Sequence, residues 1–266
     1  MITCRLKGGL GNLMFQIAFL EYTSMRTGYP AGYYNINQQF NAIKNYQIET
    51  TQRDNIQTSV CVNSYLKMFL NFKWQEIHTL PTNNLRVPFH YVPIDKQDNV
   101  LYDGFFQSEK YFPDREFILK LFKPSNEIQN YLWGKYRDVS KSTSLHVRRG
   151  DYTSQPTYHP PCTVEYYEKA LVNIQGNVLV FSDDIEWCKK TFIGDRFHFV
   201  NGNLDYQELF LMSMCENNII ANSSFSWWGA WLNTNPHKKV IAPKEWFGHR
   251  ITDSTEDLYP ESWQII

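Results

Sequence analysis

Three short clusters in the second half of the chain carry residue types able to do chemistry. They are His146-Val147-Arg148-Arg149-Gly150-Asp151, Ser182-Asp183-Asp184 and Asn222-Ser223-Ser224-Phe225-Ser226. Each follows a short apolar run that reads as a strand. A guanidinium grips phosphate oxygens through paired N–H bonds. A serine-rich helix start adds backbone N–H groups and hydroxyls, a second kind of anion site. A carboxylate accepts hydrogen bonds from a ribose or from the N–H edge of a base. Ligands of an open α/β sheet bind at the C-terminal ends of its strands. The three clusters therefore predict one site for a phosphate-bearing molecule.

Strand geometry sorts the first cluster. Leu145 and Val147 share one face, and His146 and Arg148 share the other. Arg149-Gly150-Asp151 then turns away. Phosphate binding is the favoured role for Arg148, with a structural Arg–Asp ion pair closing the loop as its rival. Asp183 and Asp184 suit a nucleoside, a helix cap or a metal; two adjacent acids are weak evidence for a metal. Ser223 and Ser224 suit an anion, an N-cap, or both. Trp227 and Trp231, at i and i+4, read as core. A fourth motif, Gly8-Gly9-Leu10-Gly11-Asn12, follows the first strand, and Gly9 and Gly11 let the backbone approach a ligand. It is no complete dinucleotide fingerprint, because Met14 stands where the third glycine would be.

The elements that must position these residues are legible from about residue 140. Strands at 144–148, 178–181, 196–200, 218–221 and 239–242 alternate with helices at 163–174, 185–192, 206–215 and 224–232, which predicts a parallel sheet. Thr163 is the expected N-cap of the first of these helices. The N-terminus repeats the motif: alternating Ile2, Cys4 and Leu6, a glycine turn, then Met14, Phe15, Ile17, Ala18 and Tyr22 on one helical face. The expectation is an α/β chain of two Rossmann-like domains facing a cleft. The first spans 1–130. The second spans 140–266, its tail packing back on the first, and the join lies near 123–142. Residues 30–100 hold many Asn and Gln and two apolar patches, Tyr65 to Phe72 and Val87 to Val92, and predict mixed short elements.

A chain of 266 residues, 42% of them hydrophobic, can bury a sizeable core. A formal net charge of −1 speaks against a general nucleic-acid binder, so phosphate recognition must be local. The 5 cysteines, at 4, 61, 162, 188 and 215, are odd in number and form no Cys-x-x-Cys pair. That predicts thiols in a reducing compartment, Cys4 and Cys215 in the core, rather than a disulfide framework or zinc site. No apolar stretch approaches the roughly 18–20 residues of a membrane span, and Met1 to Lys7 lacks a signal peptide's apolar core. A cytoplasmic protein, soluble or peripheral at a membrane, is expected.

Taken together, the motifs resemble the α-1,2-fucosyltransferases of glycosyltransferase family 11. The resemblance rests on Gly8 to Asn12 with Met14-Phe15-Gln16, on 104–112 (Gly-Phe-Phe-Gln-Ser-Glu-Lys-Tyr-Phe) and on His146 to Tyr152. It continues through Phe181 to Asp184, Asn218 to Trp231 and Val240 to Pro243, and so covers nearly the whole chain. The arginine motif and the Asn-Ser-Ser-Phe-Ser-Trp-Trp run are specific; the glycine loop alone is not.

The resemblance implies a GT-B fold and GDP-L-fucose as donor, with no cofactor and no required metal. It implies inverting transfer to a glycan hydroxyl, typically O2 of a galactose, on an oligosaccharide or lipid-linked acceptor in bacterial surface-polysaccharide synthesis. It places Arg148 on the diphosphate, with Arg149 in the same motif. His146 and Asp183 or Asp184 would read the guanosine. Ser223 and Ser224, flanked by Asn222 and Phe225, would contact phosphate or ribose, and Asn12 would reach over the reacting bond. Candidate bases are Asp151, Glu109 and His159. One departure stands out: Leu13 occupies a position where the family usually has Gln. The alternatives are a GT-B transferase with another linkage or nucleotide sugar, and a non-catalytic carbohydrate-binding protein.

Overall fold

Alternating apolar strands and amphipathic helices fold into parallel sheets, as the sequence pattern requires. The computed structural model describes residues 1–34, 76–77 and 80–266. The chain divides into two compact units. Unit 1 is Met1–Ser125 with Ser254–Tyr259; unit 2 is Asn126–Asp253 with Pro260–Ile266. The α/β class, with a parallel sheet in each of two units, is the one expected.

Unit 1 contains β1 (Ile2–Cys4), α1 (Leu10–Thr27), β2 (Tyr33–Tyr34), β3 (Glu76–Ile77), β4 (Asn83–Arg86), β5 (Val100–Asp103) and α2 (Arg115–Leu121). β5 lies between β1 and β4, parallel to both, and β2 pairs with β3. The glycine loop joins β1 to α1. That helix is buried nearly all round, from Gly11 and Leu13 through Leu20, which makes it the core of the unit rather than a surface helix. Leu13 itself is 4% exposed, a setting that an apolar side chain fits. Phe19 stacks on Phe106, ring centroids 4.0 Å apart and nearly coplanar at 3°. Phe106 adopts φ +54, an uncommon backbone for a bulky residue. Of the two apolar patches expected in 30–100, Val87 to Val92 follows β4, with Val87 buried. Tyr65 to Phe72 lies outside the described residues, as does Cys61.

Unit 2 contains α3 (Asn126–Lys135), β6 (Thr143–Val147), α4 (Val164–Leu171), β7 (Val178–Ser182), α5 (Ile185–Thr191), β8 (Phe197–Phe199), α6 (Asp205–Ser213), β9 (Asn217–Ile219), α7 (Ser224–Leu232), β10 (Val240–Ala242) and β11 (Gln264–Ile265). The sheet order is β11-β10-β9-β6-β7-β8, parallel throughout. Leu145, Val147, Val178, Val180 and Ile219 form its core with Tyr166 and Tyr167 of α4. The hydroxyl of Thr163 caps α4 by accepting from the Tyr166 N–H. Trp227 and Trp231 are core residues, at 0% and 2% exposure.

Two elements differ from the sequence expectation. α3 occupies the stretch 123–142 expected to be a join; its helical signal is the buried pair Ile128 and Leu132, one turn apart. β11 follows β10, which reads as the last strand. Both residues of β11 are exposed. It is held by backbone pairing to Ile241 and Ala242, so it carries no apolar alternation to read.

Candidate active site at the strand edge

β6, β7 and β9 are adjacent and parallel, so their C-terminal ends meet. The three clusters are thereby brought together. His146, the last outward-facing residue of β6, is 6% exposed and sits against α7. Its Nδ1 lies 2.8 Å from the Ser226 hydroxyl, and its ring is tilted against Phe225 at 5.5 Å. Burial first, and then the nearby Arg148 charge, push the imidazole down to about 3. His146 is therefore neutral at physiological pH, suited to hydrogen bonding rather than to charge.

Arg148 emerges beside it. Its Nη2 donates to Asp151 Oδ1 at 2.6 Å, and its Nη1 is 2.9 Å from Asp183 Oδ2. Its guanidinium lies 5.3 Å from the centre of the Tyr152 ring. Burial works against the charge, but the Asp183 and Asp151 carboxylates outweigh it and raise the group further. A fixed, charged guanidinium results. The Arg–Asp ion pair weighed as its structural rival is present, and it fixes the direction of the guanidinium.

Arg149 turns to the other side. Its guanidinium lies over the Trp187 ring at 4.1 Å and its Nε donates to Asp184 Oδ2 at 3.1 Å. Asp184 also caps α5 by accepting from the Trp187 N–H, so helix capping accounts for one of the two acids. Asp183 accepts the Arg149 N–H at 2.8 Å while pairing with Arg148. Gly150 makes this closeness possible: a Cβ there would meet Asp183 Oδ2 at 2.5 Å, well inside contact distance.

In the third cluster, Asn222 is 1% exposed and spends both amide hydrogens on the carbonyls of Pro160 and Trp246. It is a staple of the loop, with no side-chain N–H left for a ligand. Ser223 caps α7 by accepting from the Phe225 N–H. Ser224 and Phe225 are half-buried. The Ser226 hydroxyl donates to the Ser223 carbonyl at 3.3 Å, linking the helix start to His146. Tyr152 closes the arrangement by donating to the Asn222 carbonyl at 3.1 Å. Ser226 and Tyr152 thus gain roles that the motifs containing them did not assign, through partners far away in the sequence.

The candidate bases separate. Asp151 and His159 belong to this edge: the His159 ring stacks on Tyr152 at 5.0 Å. Burial lowers His159, with Asp151 opposing and Arg148 assisting. Glu109 lies in unit 1, in the one-turn helix Glu109–Tyr111. Among the described residues, no group of three or more His, Cys, Asp or Glu is placed to hold a metal ion.

Unit 1 positions the glycine-loop residues differently. Gly9 caps α1 with its backbone, and a Cβ there would touch nothing. Gly11 is the second residue of that helix. The glycine under constraint is Gly8, at φ +85, where an added Cβ would run into Asn12 Nδ2. The loop is clamped by Gln16, 0% exposed, which accepts the Lys7 N–H at 2.9 Å and donates to the Lys7 carbonyl at 3.0 Å. Asn12 Oδ1 accepts from Gln107 Nε2 at 2.6 Å.

Comparison with known proteins gives the family. The family model described as glycosyl transferase family 11 matches residues 1–266. An α-1,2-colitosyltransferase of Escherichia coli is 34% identical over 100% of this chain and 99% of its own length. The O-antigen biosynthesis glycosyltransferase WbnK of Escherichia coli is 39% identical over 56% of this chain; the match spans about half, 54%, of that protein. Galactoside 2-α-L-fucosyltransferase Sec1 of Mus musculus is 25% identical over 87% of this chain and 64% of that protein. This chain belongs to glycosyl transferase family 11.

Proposed function

We propose that the protein is an inverting glycosyltransferase that moves L-fucose from GDP-β-L-fucose to a glycan hydroxyl, O2 of a galactose being the favoured position. The observation that carries this reading is the grouping of charged Arg148, neutral His146 and the capped start of α7 at one strand edge. The acceptor oxygen attacks the anomeric carbon as the carbon–phosphate oxygen bond breaks, and charge builds on the departing diphosphate. Arg148 and the Ser224 N–H at the start of α7 are the groups that meet that charge, the Ser223 N–H being spent on the Ala221 carbonyl. His146 and the Asp183-Asp184 pair take the nucleoside. The acceptor proton passes to Asp151 or His159, both close to Arg148. Charge neutralisation by the guanidinium needs no metal. The name of the mouse relative supports the fucose and galactose assignments, and that of WbnK, an O-antigen biosynthesis glycosyltransferase, supports a surface-polysaccharide acceptor.

A second reading keeps the mechanism and changes the sugar. The full-length bacterial relative is a colitosyltransferase, and colitose is fucose without its 3-hydroxyl. Purified protein incubated with GDP-fucose or GDP-colitose and a panel of galactosides, with linkage read by NMR, separates the two. Stabilisation in a thermal shift by GDP but not by UDP or free sugar is expected. A response to free sugar alone would remove both transferase readings in favour of a carbohydrate-binding protein.

A further inference from the structure

Gln107 carries a feature that packing alone does not explain. The side chain is 6% exposed, yet only its nitrogen is used: Nε2 donates to Asn12 Oδ1 at 2.6 Å, while Oε1 is buried with no hydrogen-bond partner. Leaving a buried acceptor orphaned is costly, and a Leu or Met would fill the space without that cost. The backbone leading to it is also unusual, since Phe106 at φ +54 immediately precedes it and is pinned by stacking on Phe19. An expensive geometry held this firmly marks a functional constraint more often than a stabilising one.

The other end of the bond shows what is gained. Asn12 is only half-buried and stands in the first turn of α1. With its oxygen taken by Gln107, its carboxamide cannot present that oxygen outward. Its Nδ2 lies against Gly8, which has no side chain to obstruct it. We infer that Gln107 is a positioning residue: it fixes the Asn12 carboxamide so that Asn12 offers an N–H donor to a ligand oxygen. Two oxygens of the reaction share that chemistry, a phosphate oxygen of the sugar donor and a hydroxyl of the acceptor. The inference rests on the transferase reading for its ligand, but not for its geometry.

Three variants test it. Gln107→Met keeps the volume and removes both the bond and the orphan oxygen. It should melt at or above the wild-type temperature and lose tenfold or more in kcat/KM. Asn12→Asp keeps an oxygen for Gln107 and loses the N–H; its loss should match that of Asn12→Ala. Calorimetry with GDP and the acceptor KM identify the oxygen. Weaker GDP binding in all three variants points to the phosphate; a raised acceptor KM with GDP affinity unchanged points to the hydroxyl. Wild-type kinetics in Asn12→Asp, or a lowered melting temperature with unchanged kinetics in Gln107→Met, would overturn the proposal. One readout stands apart from turnover. The Asn12 side-chain NH2 resonances, assigned by their loss in Asn12→Asp, should shift in Gln107→Met, and unmoved resonances overturn the proposal. A wild-type protein that neither binds GDP nor transfers sugar would sink the transferase reading while leaving that NMR test intact.

Discussion

The strand edge of unit 2 and the glycine loop of unit 1 solve the same problem with different materials. The strand edge is built of charges. Arg148 faces Asp151 and Asp183, and Arg149 faces Asp184. Each cation is aimed by a carboxylate, and the two that face Arg148 also preserve its charge. The glycine loop is built of neutral amides: Gln16 clamps Lys7, and Gln107 holds Asn12. A charged lattice suits an anion whose charge grows during reaction. A neutral one suits oxygens whose direction matters more than their charge. Charges reach through space and tolerate small errors, whereas a carboxamide works only at hydrogen-bond distance. The amide region accordingly shows the tighter constraints: a strained Phe106, a positive-φ Gly8 and an orphaned acceptor.

The largest expected effect attacks the charged region. Removing one preorganised contact to developing charge typically costs about two to three orders of magnitude in rate. Arg148→Ala should therefore lose about that much turnover and much of its GDP affinity, with the far-ultraviolet circular dichroism unchanged. Near-normal turnover in the purified variant would end the assignment of Arg148 to the diphosphate.

Gly8→Ala strikes the neutral region through its backbone. The Cβ is disfavoured at φ +85 by about 1–2 kcal/mol, and it also pushes on Asn12. Turnover should fall roughly tenfold to a hundredfold by the same reasoning, with stability lowered by about 1 kcal/mol or more. A variant with intact kinetics would show that Asn12 can move without consequence. Gly9→Ala, with open space around the added carbon, is the matched control and should be much milder.

A smaller effect is a pH signature confined to the strand edge. The unfolded chain protonates His146 near the ordinary 6.5, whereas burial and the Arg148 charge push the folded group down to about 3. Below 6.5 the unfolded state binds a proton that the folded state refuses. The stability from this residue is thus present above pH 6.5 and lost as the pH falls toward 3. At pH 5 the loss is about 2 kcal/mol. Urea denaturation at pH 7 and pH 5 should show this loss in the wild type and a shallower dependence in His146→Gln. Parallel slopes for the two proteins would place His146 in a wetter setting than the structure describes.

Much of unit 2 was legible because its signals are local. An apolar strand followed by a polar turn and a capped helix repeats along the chain. Thr163, Asp184 and Ser223 each cap the helix that follows them. Period two placed His146 and Arg148 on one face. The missed elements lacked such signals: β11 is an exposed two-residue strand held by backbone bonds, and α3 shows only Ile128 and Leu132 to a core. In the candidate site the motifs were legible, but the pairings between them were not. Asn222 sits inside the most specific motif and has a structural job. Ser226, Tyr152 and Gln107 act through contacts 80, 70 and 95 residues away in sequence.

The sequence by itself determined the α/β class, the parallel order of events in unit 2 and which residue types gather at the strand edge. Periodicity, capping and motif chemistry are properties of neighbouring residues. Only the tertiary structure decided which groups are charged, which are aimed and which are already spent. Burial makes His146 neutral, two carboxylates fix Arg148, and packing between distant segments leaves Gln107 holding Asn12 with one hand and nothing with the other. Those outcomes depend on distances between residues far apart in the chain, and a one-dimensional pattern carries no distances.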